Sequence, residues 1–209
     1  MTRREWCYLG LVLAVALALR LALFGVLPRE TLVSDEPEYL AASAWLAQGR
    51  GFSFYAEWPW LRPPLYLLFL APMLRVFGLD LLPIRLVQVI LSLSVPALVY
   101  LLSRRMFGRR AGLGAGLVAA LWLPLAILPH LVLAENLLLP LLLGAFYGLV
   151  RFQNMIPVSP AWRPEEGTPL RRAAWAWLLL GGALLGLATL ARGLAIGFLP
   201  LAALWVGWV

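Results

Sequence analysis

The 209-residue sequence contains no lysine, one cysteine, one histidine and few charged residues of either sign. Because Cys7 is the single cysteine, no internal disulfide can form. We find no glycine-rich phosphate loop, Ser-His-Asp set or cysteine-based site, and no internal repeat. All 17 basic residues are arginines, and they lie in short clusters between apolar runs. This distribution is typical of membrane orientation signals and argues against a nucleic-acid partner.

Apolar side chains are in large excess. The sequence is 63% hydrophobic, with a mean hydropathy of +0.87, whereas a soluble domain is roughly 45–50% apolar. One soluble core cannot bury that surplus, so lipid must be the solvent for most of the surface. We therefore expect an all-α, polytopic transmembrane helical bundle in the cell membrane, with membrane lipids among its partners.

The apolar runs predict about six membrane spans, because about 20 helical residues cross a hydrocarbon core. They cover residues 6–27, 84–103, 111–128, 131–150 and 173–191, and a last run begins near residue 193. Because the sequence stops inside this last run, we expect residues 1–209 to be the N-terminal portion of a longer transmembrane domain.

A short apolar segment, residues 63–78, decides the predicted topology. If this segment crossed the membrane, the arginine cluster of residues 104–110 would lie outside, against the positive-inside rule. We therefore predict a re-entrant or interfacial helix within an outer loop of residues 28–83. The N-terminus and the loop 151–172 are then cytoplasmic, and most acids lie on the outer side.

The outer loop carries an acidic cluster, Asp35-Glu36-Pro37-Glu38. It precedes Leu40, Ala44 and Ala47, whose helical spacing predicts one apolar face of an interfacial helix. Two interpretations of the cluster stay open. The acids cap the helix and favour its positive dipole end, or one of them takes a proton from an acceptor or holds a cation.

Two more residues on the predicted outer side could carry chemistry. Glu135 lies in an apolar segment, where an ionisable side chain either marks a functional site or reaches headgroup water near a helix end. His130, the lone histidine, is either structural or binds a divalent metal together with Asp35, Glu57 or Glu135. No spacing motif favours the metal.

Three arginines lie where their charge needs an explanation. Arg62 and Arg192 are predicted at the outer boundary, where arginine binds either a specific phosphate or lipid headgroups. Arg20 lies inside the first predicted span, where it either pairs with an acid or extends to one interface.

Several short motifs follow one another in an order that resembles a known family. They are Asp35-Glu36 with Tyr39, Gly49-Arg50-Gly51, Arg62-Pro63-Pro64-Leu65-Tyr66, the span end at residues 100–110, Ala134-Glu135-Asn136 and Leu190-Ala191-Arg192-Gly193. Together they resemble the GT-C membrane glycosyltransferases of the dolichyl-phosphate-mannose-protein mannosyltransferase and aminoarabinose transferase type, including the bacterial RgtA/B/C/D-like domain.

The resemblance implies an inverting glycosyltransferase. Such an enzyme moves a sugar from a polyprenyl-phosphate carrier to an acceptor lipid, glycan or protein at the outer face of the membrane. A divalent metal is the one cofactor left open. A transporter or flippase for a lipid-linked substrate, using Arg20 and Glu135, and a non-catalytic membrane subunit are the alternatives.

The resemblance also implies roles for individual residues. Asp35 would be the general base, and Glu36 would support it or bind the acceptor. The residues that would position the acceptor or a metal are Glu135, His130 and Glu57. The carrier phosphate would lie against Arg62 and Arg192, and Tyr39 and Tyr66 belong to the same motifs.

Overall fold

The computed structural model describes residues 1–27, 34–52, 62–155 and 169–208. Within these ranges every regular element is helical, as predicted. The elements are α1 (Arg3–Leu23), α2 (Glu36–Ala47), α3 (Pro64–Phe77), α4 (Leu81–Ser92), α5 (Ser94–Phe107), α6 (Arg109–Leu121), α7 (Leu123–Ile127), a 3₁₀ turn (Leu128–His130), α8 (Glu135–Gln153), α9 (Pro169–Ala191), a second 3₁₀ segment (Gly193–Gly197) and α10 (Phe198–Trp208).

Four helices of the described ranges are long and apolar enough to cross a membrane: α1, the joined α4 and α5, α8 and most of α9. A fifth span results if α6 and the segment Leu123–His130, bent by 61°, count as one. The polytopic helical bundle is therefore confirmed. The predicted sixth span corresponds to a shorter apolar helix, Gly193–Gly207. Residues 131–134, predicted to begin the fourth span, precede α8 instead.

The first loop forms two helices that pack against each other, α2 and α3. With 14 residues, α3 is among the shorter apolar helices, consistent with the predicted re-entrant or interfacial segment. The buried side of α2 runs through Glu36, Tyr39, Leu40 and Ser43, and the predicted Leu40, Ala44 and Ala47 belong to or pack against the same core. The predicted residues therefore do lie on a packed face of α2, which Tyr39 extends by meeting Tyr66 of α3.

Small residues let the helices approach closely. A Cβ atom at Gly148 of α8 would lie 3.0 Å from the Cα of Gly181 in α9, so any larger residue would push the two backbones apart at this crossing. On the other side of the bundle, a Cβ at Gly116 of α6 would lie 3.1 Å from the side chain of Val12 in α1. Such contacts are the usual means of helix association in lipid.

Arg20 is fully buried in the bundle. Its Nε donates to the Ser92 hydroxyl (2.8 Å), and its Nη atoms donate to the carbonyls of Ala16 (3.1 Å), Ala120 (3.4 Å) and Leu125 (3.2 Å). Arg20 therefore reaches no interface and pairs with no acid of the described residues, which corrects both predicted roles. Its charge is met by helix carbonyls, which are the acceptors that a membrane interior offers.

A break in the helix after α6 determines how the following chain passes beside α2 and α3. Trp122 has an extended backbone, and Pro124 follows at the start of α7. Proline at this position cannot continue the hydrogen-bond ladder, which accounts for the 61° bend. The chain then runs through Leu128–His130 to α8, and Val132 and Ala134 become fully buried beside α2 and α3.

Candidate active site

Arg62 joins the two helices of the first loop through the acidic cluster. Its Nη1 donates to Oδ2 of Asp35 at 2.9 Å, and its Nε donates to Oε2 of Glu38 at 2.9 Å. A further bond connects Nη2 to the same Glu38 oxygen. Asp35 and Glu38 are three residues apart at the start of α2, so both carboxylates lie on one side of the helix. The cluster is partly open, with side-chain exposures of 20% for Arg62 and 36% for Asp35.

Asp35 is placed as the helix N-cap, but its side chain makes no capping bond. It reaches Arg62 instead, and within the described part of the chain its Oδ1 atom accepts no hydrogen bond. The residue before it, Ser34, has a φ of 56°, a left-handed conformation that is uncommon outside glycine. The predicted capping role is therefore wrong for Asp35, and one oxygen stays available to an incoming group.

The tyrosine pair lies directly beside the arginine. The Arg62 guanidinium is 5.1 Å from the centre of the Tyr39 ring, and Tyr39 meets Tyr66 edge to face at 5.1 Å. Burial raises the pKa of Tyr39, although the charge of Arg62 acts in the opposite direction. For Arg62, burial lowers the pKa, but its hydrogen bonds with Glu38 and Asp35 outweigh that effect and the net change is upward. Arg62 therefore stays a cation.

Glu36 faces inward, away from Arg62. It is fully buried, and its Oε1 accepts a hydrogen bond from the backbone N–H of Val132 at 2.7 Å. This bond holds the first turn of α2 against the chain that enters α8. Glu36 therefore holds α2, and with it Asp35 and Glu38, in place from the buried side of the helix.

A buried amide network supports the same region from the bundle side. The Tyr66 hydroxyl donates to Oε1 of Gln88 at 2.5 Å, and Nε2 of Gln88 donates to the carbonyls of Pro129 and Leu131. Nδ2 of Asn136 donates to Oε1 of Gln88 and to the Leu131 carbonyl. The irregular chain after α7 is thus fixed by side chains, as non-helical backbone at membrane depth requires.

Glu135 and Arg192, predicted to serve separate roles, form one ion pair. Their side chains are 29% and 33% exposed. Ala134, directly before Glu135, packs in one core cluster with Tyr39 and Tyr66, so the pair lies near the Arg62 cluster. One Glu135 oxygen, Oε2, is buried without a hydrogen-bond partner among the described residues.

His130 is buried, and its ring meets Phe24 edge to face at 4.4 Å. Its Nε2 has no hydrogen-bond partner in the described ranges. No group of three or more His, Cys, Asp or Glu side chains lies close enough to hold a metal among those residues. Glu57 lies outside the described residues, so a metal site that includes it stays a prediction.

The site thus brings together Asp35, Arg62, Tyr39 and Tyr66, with the Glu135–Arg192 pair beside them. Gln88 was not singled out from the sequence, and Glu38 and Asn136 were named there only as members of motifs, without a role of their own. For Glu38, its three-residue spacing from Asp35 was a usable signal. For the two amides, the signal was their presence in otherwise apolar helices.

Residues 61–156 match the family model of dolichyl-phosphate-mannose-protein mannosyltransferases. The match confirms the predicted resemblance over that range, which is just under half of the chain. It includes Arg62, Tyr66 and Glu135, whereas Asp35 and Arg192 lie outside it. No curated protein and no solved structure is significantly similar to the chain. The family suggests a membrane glycosyltransferase.

Proposed function

We propose that the chain forms the catalytic face of an inverting glycosyltransferase that uses a polyprenyl-phosphate-linked sugar. The observation that carries the proposal is the contact between Asp35 and Arg62 at the beginning of α2 and α3. Only one carboxylate oxygen of Asp35 is bonded to Arg62, and Arg62 keeps N–H donors that its bonds to Asp35 and Glu38 do not use. Sugar transfer from a phosphate carrier needs a base and an anion-binding group side by side.

In the proposed reaction an acceptor hydroxyl oxygen attacks the anomeric carbon of the donor sugar. The bond between that carbon and the carrier phosphate oxygen breaks, and the electron pair leaves with the phosphate. The hydroxyl proton passes to Oδ1 of Asp35. Because attack and departure occur on opposite faces of the sugar, a single displacement inverts the anomeric centre.

Arg62 is suited to a double task. A guanidinium has five N–H donors, and three hydrogen bonds join it to Asp35 and Glu38. The two remaining donors are enough for a phosphate oxygen pair. Arg62 would orient Asp35 through their hydrogen bond and stabilise the departing phosphate. In this proposal Glu36 and the Tyr66–Gln88–Asn136 network position the two helices, and Glu135 with Arg192 contacts the acceptor or the carrier.

We place this face on the outer side of the cell membrane, with the N-terminus in the cytoplasm. The support is the arginine-rich end of the bundle, at residues 104–110, which the positive-inside rule assigns to the cytoplasm. A polyprenyl chain could then reach the site sideways from the lipid. The transporter alternative would use Arg20 as a charge along a pathway, but Arg20 is bonded to Ser92 and to helix carbonyls.

The test is sugar transfer by membranes that contain the protein or its Asp35→Asn variant, with radiolabelled polyprenyl-phosphate mannose as the first donor. We expect the variant to lose activity by at least about 100-fold, the usual contribution of a general base. Asp80→Asn is the matched control, because Asp80 is an exposed cap of α4 and asparagine also caps helices. A wild-type rate for Asp35→Asn would refute the base assignment.

A further inference from the structure

Under the proposed function, on which the present inference rests, Arg62 meets the carrier phosphate in two charge states. In the donor the phosphate is a diester, joined to the polyprenyl chain and to the sugar, and it carries a single negative charge. In the product it is a monoester, which carries about 1.5 to 2 negative charges near neutral pH. A cation that stabilises the departing phosphate therefore also holds the product more tightly than the donor, which slows turnover.

The free N–H groups of Arg62 place this phosphate between two carboxylates. Nη1 donates one hydrogen bond to Asp35 and Nη2 donates one to Glu38, so each of these nitrogens keeps one further N–H. The two N–H bonds of one nitrogen diverge by about 120°, so acceptors about 2.9 Å away along them lie about 5 Å apart. A phosphate bound to the two free donors therefore has an oxygen about 5 Å from each carboxylate.

The charges around this position change during the proposed reaction. Before transfer, the carboxylates of Asp35 and Glu38 both offset the Arg62 cation. Transfer delivers the acceptor proton to Asp35, which removes its charge. Among the described residues that pair with Arg62, Glu38 is then the one carboxylate that still offsets the guanidinium. Glu38 therefore opposes the phosphate at the stage when the phosphate has gained its additional charge.

The contact between Glu38 and Arg62 suits this role. Nε and Nη2 of Arg62 both donate to Oε2 of Glu38, so Glu38 covers an edge of the guanidinium that could otherwise bind two phosphate oxygens. The Glu38 side chain is 42% exposed, so replacing its carboxylate leaves the packing of α2 against α3 intact. The alternative is that Glu38 only favours the positive dipole end of α2.

We propose that Glu38 is a specificity-determining residue through which the site retains the sugar-phosphate diester and releases the free carrier phosphate. Its carboxylate competes for one edge of Arg62. It also repels the monoester up to about twice as strongly as the diester, because Coulomb repulsion scales with the charge of the ligand. A residue that only favours the start of α2 would affect the binding of both ligands equally.

The experiment measures equilibrium binding of two probes to the purified full chain in neutral-detergent micelles. The probes are polyprenyl-phosphate mannose and polyprenyl phosphate with the same polyprenyl chain. Glu38→Gln should tighten binding of the diester by about threefold, which is in the range for one partly exposed charge. It should tighten binding of the monoester by about five- to tenfold, because the logarithm of the gain scales with the ligand charge. In a transfer assay, the inhibition constant of polyprenyl phosphate should fall more than the KM for the donor.

Two variants are matched controls. Glu38→Asp keeps the charge, and the ratio of its two affinities should stay within about twofold of wild type. Asp80→Asn removes one charge beyond the far end of α3, a 14-residue helix that separates it from Arg62 by roughly 20 Å. This variant should change neither affinity by more than about 1.5-fold, because screening by salt is nearly complete at that distance.

Equal gains for the two probes in Glu38→Gln would overturn the proposal, and so would a Glu38→Asp variant that behaves like Glu38→Gln. Arg62→Gln separates this failure from a failure of the proposed function. If Arg62→Gln binds both probes as well as wild type, Arg62 is not the phosphate ligand and both proposals are wrong. If it loses both probes while Glu38→Gln shows equal gains, only the role of Glu38 is wrong.

Discussion

The two ends of the bundle differ in how their charges are balanced. At the acidic end, where α2, α3 and α8 begin, Arg62 bridges Asp35 and Glu38, and Arg192 pairs with Glu135. At the arginine end, where α5 and α8 finish, the single carboxylate of Glu5 forms ion pairs with both Arg104 (2.9 Å) and Arg109 (3.2 Å). The rise of α8 separates Glu135 and Arg151 by about 24 Å, close to the thickness of a hydrocarbon core.

The difference between the two ends has a chemical meaning. A balanced set of acids and arginines suits a site that must move a proton and stabilise a departing anion. An end with surplus arginine attracts anionic lipid and sets the orientation in the membrane. The acidic end is therefore where substitutions should affect sugar transfer, and the arginine end is where they should affect lipid binding and stability.

The largest effect that separates the ends is expected for Arg62→Gln. The change leaves Asp35 and Glu38 without their shared cation. It also removes the guanidinium that we propose binds the carrier phosphate. Sugar transfer should fall by about 100-fold or more, as for loss of an electrostatic donor in other enzymes. Arg75→Gln, an exposed position on the same helix α3, should retain activity. Similar rates for the two variants would remove Arg62 from the mechanism.

A smaller effect should separate two acids of the same cluster. Glu36→Ala leaves the buried N–H of Val132 without its acceptor, so the free energy of unfolding should drop by about 2 to 3 kcal/mol. Glu38→Ala removes a carboxylate that is 42% exposed, so its cost should stay under about 1 kcal/mol. Denaturation in mixed detergent micelles measures both. If Glu38→Ala proved the more damaging change, Glu36 would not be the residue that positions the cluster.

The smallest effect is expected at the arginine end. Glu5→Gln weakens the contacts with Arg104 and Arg109, so the midpoint of thermal unfolding should fall by a few degrees at most. Sugar transfer should stay within about twofold of wild type. Arg110→Gln, which removes an exposed charge with no ion pair in the described ranges, is the control for net charge. A large loss of activity in Glu5→Gln would contradict the division between the two ends.

The fold was largely predictable because hydrophobic length is a strong signal in lipid. The helix boundaries were less predictable than the fold. The break at Trp122 and the start of α8 at Glu135 depend on Pro124 and on bonds from Gln88 and Asn136. The bond from Gln88 to Pro129 joins residues 41 positions apart, so no local pattern contains it.

The site was predictable as a set of residues but not as a set of contacts. The sequence placed Asp35, Arg62, Glu135 and Arg192 on one predicted side. It could not show that Arg62 would be shared by two carboxylates, because α2 and α3 become neighbours only through their packing. Similarly, the Glu135–Arg192 pair forms only once α8 and α9 lie side by side.

The hydrogen bond between Glu36 and Val132 also has a consequence for biogenesis. The two residues are 96 positions apart, and a ribosome adding roughly 5 to 20 residues per second needs about 5 to 20 s to make that stretch. During this interval the first turn of α2 has left the ribosome while its partner does not yet exist. Until then the Glu36 carboxylate lies in water or against the translocon. The acidic cluster therefore reaches its final geometry only after α7 has been inserted.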